Sequence, residues 1–161
     1  MKYIKAARKN IEEIYELVRD TITTIYPKYY PQEVVNFFCD LHSRANILKD
    51  IDNGTVGVLE KDGQIIGTGS YSANHITRVY VNPRFQGQGY GSYIMQMLEN
   101  EIALQHEYVC LDASLPASPM YEKRGYITKK HAKWICENDV VLVYEIMQKK
   151  LNGGNLPAQT E

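Results

Sequence analysis

The sequence lacks the features that mark several large classes of protein. Its 161 residues contain no run of about 20 apolar residues such as a membrane helix requires, and the N-terminal segment alternates charged with apolar residues where a secretory signal would be uniformly apolar. We therefore expect no membrane association and a cytoplasmic location. The three cysteines, Cys39, Cys110 and Cys136, form no CxxC pair, so neither a disulfide framework nor a zinc ribbon is indicated. We interpret all three as small core residues.

An excess of charge of one sign is also absent. Lys and Arg number 18 against 19 Asp and Glu, which gives a formal net charge of -1 and argues against a nucleic-acid-binding surface. The four histidines have no ligand spacing with cysteines or acids, so no metal site is predicted. What the sequence has in quantity is tyrosine, with 13 Tyr against 3 Phe and 1 Trp. Many hydroxyl groups near buried surface suit a polar-lined cleft.

The order of the predicted elements indicates an α/β protein. A short N-terminal strand precedes a helix over 11–25, which we expect to be capped by Asn10 and Glu13. The later elements are a helix over 32–42, strands at 55–60, 64–71 and 76–81, a helix after a glycine-rich turn, a strand at 108–113, a short helix at 116–123, and strands at 128–136 and 140–147. We predict a single domain over residues 1–150, with a mixed sheet and helices on both faces, and a flexible C-terminal tail at 151–161.

Three alternating glycines connect the strand ending at Val81 to the next helix, in the segment 86–92 with sequence QGQGYGS. The bare backbone N–H groups around Gly87, Gly89 and Gly91, together with the positive end of a helix, favour a phosphate or pyrophosphate as ligand. A tight turn without a ligand is the alternative. The segment lacks the Gly-Lys-Ser/Thr of an ATP-binding Walker loop. Because it comes late in the chain and after a hairpin, it also differs from an NAD fingerprint.

This turn and a second motif resemble those of the GNAT superfamily of acyl-CoA-dependent N-acyltransferases. The phosphate-loop signature of that family, Gln/Arg-x-x-Gly-x-Gly/Ala, is matched by residues 86–91. The segment 114–126, SLPASPMYEKRGY, is similar to its Asn-x-x-Ala-x-x-x-Tyr-x-Lys-x-Gly-Phe motif. The resemblance implies an N-acetyltransferase that uses acetyl-CoA as cofactor. It implies that the acetyl group is transferred to a primary amine of a small molecule, with a peptide or protein less favoured as acceptor. The amine is implied to attack acetyl-CoA directly in a ternary complex.

The resemblance also implies a GNAT-like fold with a splayed strand pair. On this resemblance, we expect strand 76–81 to carry a bulge and to part from strand 108–113. The pantetheine arm of CoA is then expected to lie in the opening, with the N–H near Val79 as oxyanion donor. The implied cofactor-binding residues are Val79, Tyr80, Val81, Gln86, Gly87, Gln88, Gly89, Tyr90, Gly91, Ser92, Ser114 and Tyr121. Ser114 stands where the family has Asn, so the paired donor and acceptor of an amide are missing there.

Two residues take the implied catalytic roles. Tyr121 lies where many members place a tyrosine that gives a proton to the departing CoA thiolate, and aromatic packing is its alternative role. His75 lies where many members have a glutamate base, and an imidazole can act as a base near neutral pH. A polar residue without a catalytic role is the alternative for His75. Cys110 has no activating base nearby in the sequence, so we interpret it as a core residue and not as an acyl-carrying nucleophile.

The acceptor site is implied to lie between the connection of the first two helices and the loop of the last two strands, here 26–31 and 137–139. Tyr26, Tyr29 and Tyr30 are the candidate substrate-binding residues, because aromatic faces bind cationic amines; packing beneath two prolines is the alternative. Family members often dimerise, and the sequence leaves a homodimer open. A non-catalytic acyl-CoA-binding or sensing module is the alternative function, favoured by Ser114 and by the missing glutamate at position 75.

Overall fold

The computed structural model of the chain describes residues 1–152. The helices are α1 (Ile11–Ile25), α2 (Gln32–Leu41), α3 (Arg44–Asp52), α4 (Tyr90–Ala103) and α5 (Ser118–Lys123). The strands are β1 (Lys2–Lys5), β2 (Val56–Lys61), β3 (Gln64–Ser72), β4 (His75–Val81), β5 (Tyr108–Ser114), β6 (Ile127–Ile135) and β7 (Val141–Lys150). From residue 153 onward, the predicted tail lies outside the described residues. Leu151, predicted to begin that tail, is instead buried and donates its N–H to the Glu107 carbonyl at 2.8 Å.

The predicted helices agree with the structure in span, but the structure contains one more helix than predicted, and one predicted helix cap is wrong. Only Ile47 and Ile51 of α3 are buried, too few to mark a periodic apolar face, and this helix is absent from the sequence prediction. The predicted cap of α1 is wrong: the Asn10 side chain accepts the N–H of Ala7, in a 3-10 turn before α1, and makes no capping bond to the helix. No helix within residues 1–152 is long and apolar enough to cross a membrane.

The seven strands form one mixed sheet in the order β1, β2, β3, β4, β5, β7, β6. Neighbouring strands are antiparallel except for β4 and β5, which run parallel and pair only at His75 with Cys110 and Ile76 with Leu111. Beyond these two positions the two strands part. The predicted α/β class, the mixed sheet and the splayed strand pair are therefore confirmed.

A bulge in β4 determines which of its side chains face α4 and which face α1 to α3. The register with β3 shifts after Ser70, which makes Thr77 the extra residue of β4. Ile76 packs in the core beneath α4, whereas Tyr80 turns to the other core, formed with α1, α2 and α3. The bulge thus lies where β4 leaves β5, and it directs polar and aromatic groups toward the side of α1 to α3.

Candidate active site

The glycine turn between β4 and α4 has room for a ligand. Gly87 and Gly89 have φ angles of 75° and 85°, in the left-handed region that glycine adopts most readily, and a Cβ on either residue would meet no atom within 4 Å. Gly89 directly precedes α4, so the first N–H groups of the helix, from Tyr90 to Ser92, have no intrahelical acceptor. The turn therefore has the geometry and the charge of an anion site.

The side chains of the turn hold it in place. Three of them are tied to neighbouring elements: Gln86 Nε2 donates to the Val81 carbonyl at 2.9 Å, the Tyr90 hydroxyl accepts from Lys61 Nζ at 2.8 Å, and the Ser92 hydroxyl accepts from Arg124 at 2.8 Å. Gln88 is exposed. The turn therefore presents mainly its backbone to a ligand. The Val81 carbonyl, one of the groups predicted to pair with pantetheine, is already hydrogen bonded.

Basic side chains stand beside the turn. Arg124 binds Glu99 through Nε and Nη2, each at 2.9 Å. Although burial opposes the ionisation of Glu99, Arg124 and other donors hold the pKa of its carboxyl below the usual value. Arg124, Lys123 and Ser92 line a groove of about 420 Å³. A phosphate-bearing ligand at the turn would therefore lie near two cationic side chains.

Tyr121 lies on α5, a short helix that contacts β5. Its ring meets that of Tyr126 edge to face, with the centroids 5.8 Å apart. Burial, with Tyr26 nearby, raises the pKa of Tyr121 to about 12, so the hydroxyl keeps its proton at neutral pH and can give it to a thiolate. Burial also raises the pKa of Tyr80, and Tyr26 and Tyr121 add to that shift. Tyr121 is therefore close to the β4 side of the opening.

Tyr26 and Tyr30 lie at the mouth of the same opening. The Tyr26 hydroxyl is 3.1 Å from that of Tyr80. The Tyr30 hydroxyl is buried beside the Ser114 side chain and the Leu115 backbone. Tyr29 is 59% exposed and lies outside this group. The structure thus brings two of the three predicted substrate tyrosines together with Tyr80 and Ser114.

His75 lies at the other, paired end of the opening. Its Nδ1 is 3.4 Å from Cys110 Sγ, and its Nε2 is 3.7 Å from Asp112 Oδ2. Because Thr77 is an extra residue, His75 and Tyr80 lie opposite Ser72 and Thr68 of β3. About 13 Å of strand therefore separates His75 from Tyr80, and the structure does not bring the predicted base next to Tyr121. The predicted base and acid instead flank the part of β4 around Val79, where the thioester carbonyl is predicted to bind.

The cysteines are less buried than the predicted core residues, because each of the three free thiols is only partly buried. Cys110 touches the imidazole of His75, a neighbour 35 positions away that the sequence alone does not reveal. Burial raises the pKa of the Cys110 thiol, and the Asp112 carboxylate adds to the shift. The thiol therefore stays protonated near neutral pH and lacks the character of an activated nucleophile.

A buried polar network that the sequence analysis missed supports the bulge. Arg78, whose side chain is 3% exposed, donates to Asp50 at 2.9 Å, to His42 Nδ1 at 3.2 Å and to the Ser70 hydroxyl at 3.1 Å. Ser70 in turn bonds Thr77, the extra residue of β4, at 2.8 Å. Groups from α3, β3 and the end of α2 thus hold the backbone in place where β4 and β5 part.

Acidification is expected to destabilise the protein through His42. Burial, with Arg78 beside it, lowers the pKa of His42 to about 3, so between that pH and about 6.5 the unfolded chain binds a proton that the folded chain does not. The free energy of unfolding should therefore fall by roughly 2 kcal/mol between pH 7 and pH 5 through this group. Urea denaturation at both pH values measures the fall. His42→Asn should reduce it and the matched exposed variant, His131→Asn, should not; an equal fall in His42→Asn and wild type would contradict the assignment.

The comparison with protein families identifies the chain. Residues 25–148 match the family described as the acetyltransferase (GNAT) domain, and this match spans most of the chain. The chain therefore belongs to the GNAT acetyltransferase family, and the resemblance carried by the two motifs is confirmed. None of the curated proteins compared with the chain matches it in sequence.

Solved structures share the fold at low sequence identity. A GCN5-related N-acetyltransferase from Rhodopseudomonas palustris is 20% identical with a TM-score of 0.84, over 93% of this chain and 95% of that one. The PaiA N-acetyltransferase from Thermoplasma acidophilum, in complex with coenzyme A, is 18% identical with a TM-score of 0.72, over 92% and 98%. The ribosomal-protein-alanine N-acetyltransferase from Brucella melitensis is 18% identical with a TM-score of 0.72, over 94% and 100%.

Family membership makes the chain an acetyl-CoA-dependent N-acetyltransferase, and the residues present fit that cofactor. The parting of β4 and β5 leaves a slot in the sheet, and the hydroxyl of Tyr30 lies beside Ser114, at the end of β5. The glycine turn at the end of β4 has open space in front of Gly87 and Gly89. A long thiol arm in the slot and a pyrophosphate at the turn are thus compatible with this structure.

Proposed function

We propose that this enzyme acetylates a primary amine of a small molecule, with the amine attacking directly while both substrates are bound. One observation supports the proposal: where β4 and β5 part, the protonated phenol of Tyr121 lies near Tyr80 and the imidazole of His75 lies at the paired end of β4, with Val79 between them. Acetyl-CoA, when bound, supplies an acetyl group activated as a thioester. The protein's task is then to hold the two substrates and to move protons.

Each proposed role follows from the chemistry of the group. The acceptor is an ammonium ion with a pKa of about 10 and must lose a proton before it attacks; His75 takes that proton. The Val79 N–H stabilises the negative charge that develops on the carbonyl oxygen. Tyr121 gives its proton to the departing thiolate. The backbone N–H groups from Gly87 to Ser92 hold the pyrophosphate.

A small acceptor is favoured over a protein because α2 reaches the loop between β6 and β7. Asn138 donates to Glu33 of α2 at 3.2 Å, and the rings of Phe37 and Trp134 lie 5.8 Å apart. These contacts narrow the face on which the acceptor is predicted to bind. An extended peptide needs an open groove across that face.

A screen of small primary amines tests the proposed reaction by the release of free CoA thiol. With an accepted amine, thiol release and one acetylated amine per thiol are expected, and without amine no acetyl group should be found on the protein. Release that does not depend on the amine, or a stoichiometric acetyl group on Cys110, would contradict direct attack. Binding of acetyl-CoA without release in the presence of any amine or peptide would favour an acyl-CoA sensing module.

A further inference from the structure

We propose that Asp112 binds the ammonium group of the acceptor and so selects cationic primary amines with an apolar body; this rests on the function proposed above. Asp112 is the first residue of β5 beyond the two positions that pair with β4. Its neighbours Leu111 and Ala113 are buried in the core beneath α4. Because successive strand residues face opposite sides, the Asp112 side chain lies on the same face as His75, at the apex of the opening.

Within residues 1–152 the Asp112 carboxylate contacts no Lys or Arg side chain. Its one ion contact there is with His75 Nε2 at 3.7 Å, and 48% of its side chain is exposed. Asp50, on the same side of the sheet, is by contrast bound to the buried Arg78 at 2.9 Å. Asp112 therefore offers an uncompensated negative charge where the strands part. A bound ammonium compensates that charge and gains a charge-assisted hydrogen bond.

The imidazole of His75 is placed to deprotonate the same ammonium. An ammonium nitrogen that contacts Asp112 Oδ2 also lies beside His75 Nε2, because these two atoms are only 3.7 Å apart. In the proposed step an N–H bond of the ammonium breaks and an Nε2–H bond forms. The freed lone pair then forms the C–N bond as the C–S bond breaks, and the proton of Tyr121 goes to the sulfur. The second N–H bond that the amide must lose breaks, and its proton returns to the Tyr121 phenolate through water. Asp112 thus holds the charged acceptor, and His75 makes it a nucleophile.

Two residues of β7 indicate the body of the acceptor. In the antiparallel pairing, Ile146 lies opposite Asp112 and Tyr144 lies opposite Ser114, and opposite residues share a face of the sheet. Both are partly exposed. An alkyl or aryl chain can pack on them while its ammonium group reaches Asp112. The expected acceptor is therefore a primary ammonium on a short apolar chain, and phenethylammonium is a suitable probe.

Isothermal titration of phenethylammonium into the CoA-saturated protein at pH 7 tests this site. Asp112→Asn removes the charge at nearly constant shape and should weaken the binding of phenethylammonium about 10- to 100-fold. Asp112→Glu, which keeps the charge, should retain part of the wild-type affinity. Asp62→Asn, in the turn between β2 and β3, is the matched control and should bind like wild type. The neutral isostere 2-phenylethanol should bind wild type and Asp112→Asn equally weakly.

The outcomes separate this site from the proposed reaction. Equal Kd values for Asp112→Asn and wild type, or a wild type that does not prefer phenethylammonium to 2-phenylethanol, would overturn the role of Asp112 even where another amine is acetylated. Charge-dependent binding in a protein that releases no thiol with any amine would support the cation site and overturn acetyl transfer. In turnover, Asp112→Asn should raise KM for phenethylamine with little change in kcat, a split that a general loss of structure does not produce.

Discussion

Tyr121→Phe is expected to lower kcat by about 100-fold or more while the affinity for acetyl-CoA stays near that of wild type. Loss of a general acid costs ~10²–10⁴ in rate. The phenylalanine ring keeps the edge-to-face contact with Tyr126, so the effect reports the hydroxyl and not the packing. Thiol release under saturating amine measures kcat, and titration with acetyl-CoA measures the affinity.

The pH dependence adds a second check on Tyr121. Because burial raises its pKa to about 12, this acid stays protonated up to at least about pH 9, and kcat should not fall on the alkaline side of neutrality through this group. Tyr108→Phe, at the far end of β5 and 39% exposed, is the matched control and should retain the wild-type kcat. Equal kcat values for Tyr121→Phe and wild type at every pH would remove Tyr121 from the mechanism.

Gly89→Asp is expected to weaken acetyl-CoA binding by at least about 100-fold. The new carboxylate would stand in the open space in front of the turn, next to the N–H groups at the start of α4. Two charges about 4 Å apart near a protein surface repel by about 4 kcal/mol, which is more than a 100-fold change in Kd. Isothermal titration with acetyl-CoA measures the loss.

The chain contains a close control for this substitution. Gly63, in the turn between β2 and β3, has a φ of 79° and also has no atom within 4 Å of a built Cβ. Gly63→Asp therefore introduces the same charge and similar backbone strain away from the cleft. Both variants should lower the melting temperature by similar amounts, and only Gly89→Asp should lose binding. Equal affinities for the two variants would show that the turn does not hold the pyrophosphate.

Local sequence patterns predicted most of the fold. In α1, apolar residues at spacings of three and four bury Ile14, Leu17, Val18 and Ile22, so the helix was visible from its periodicity. The hairpin of β2 and β3 was visible from its turn at Asp62 and Gly63. In contrast, α3 buries only two apolar side chains and was missed. The parting of β4 from β5 came from the family resemblance, since strand order is not encoded in local periodicity.

The same limit explains which parts of the site were predicted. The glycine turn and the segment around Tyr121 are contiguous in the sequence, so motifs revealed them. His75, Cys110 and Asp112 meet only because β4 pairs with β5. Arg78 and Asp50 are 28 positions apart and meet only because α3 packs on the sheet. Residues brought together by sheet order and layer packing carry no local signal, and the sequence analysis for this reason did not connect His75 with Cys110 and Asp112.

A crystal structure of the protein with acetyl-CoA would show where the cofactor binds. We expect the pantetheine arm to lie between β4 and β5 beside Val79, with the pyrophosphate at the N–H groups from Gly87 to Ser92 and the thioester between His75 and Tyr121. Acetyl-CoA bound elsewhere, for example in the groove of about 520 Å³ between α1 and α2, would contradict this expectation. So would a structure in which β4 and β5 close on each other and leave no slot.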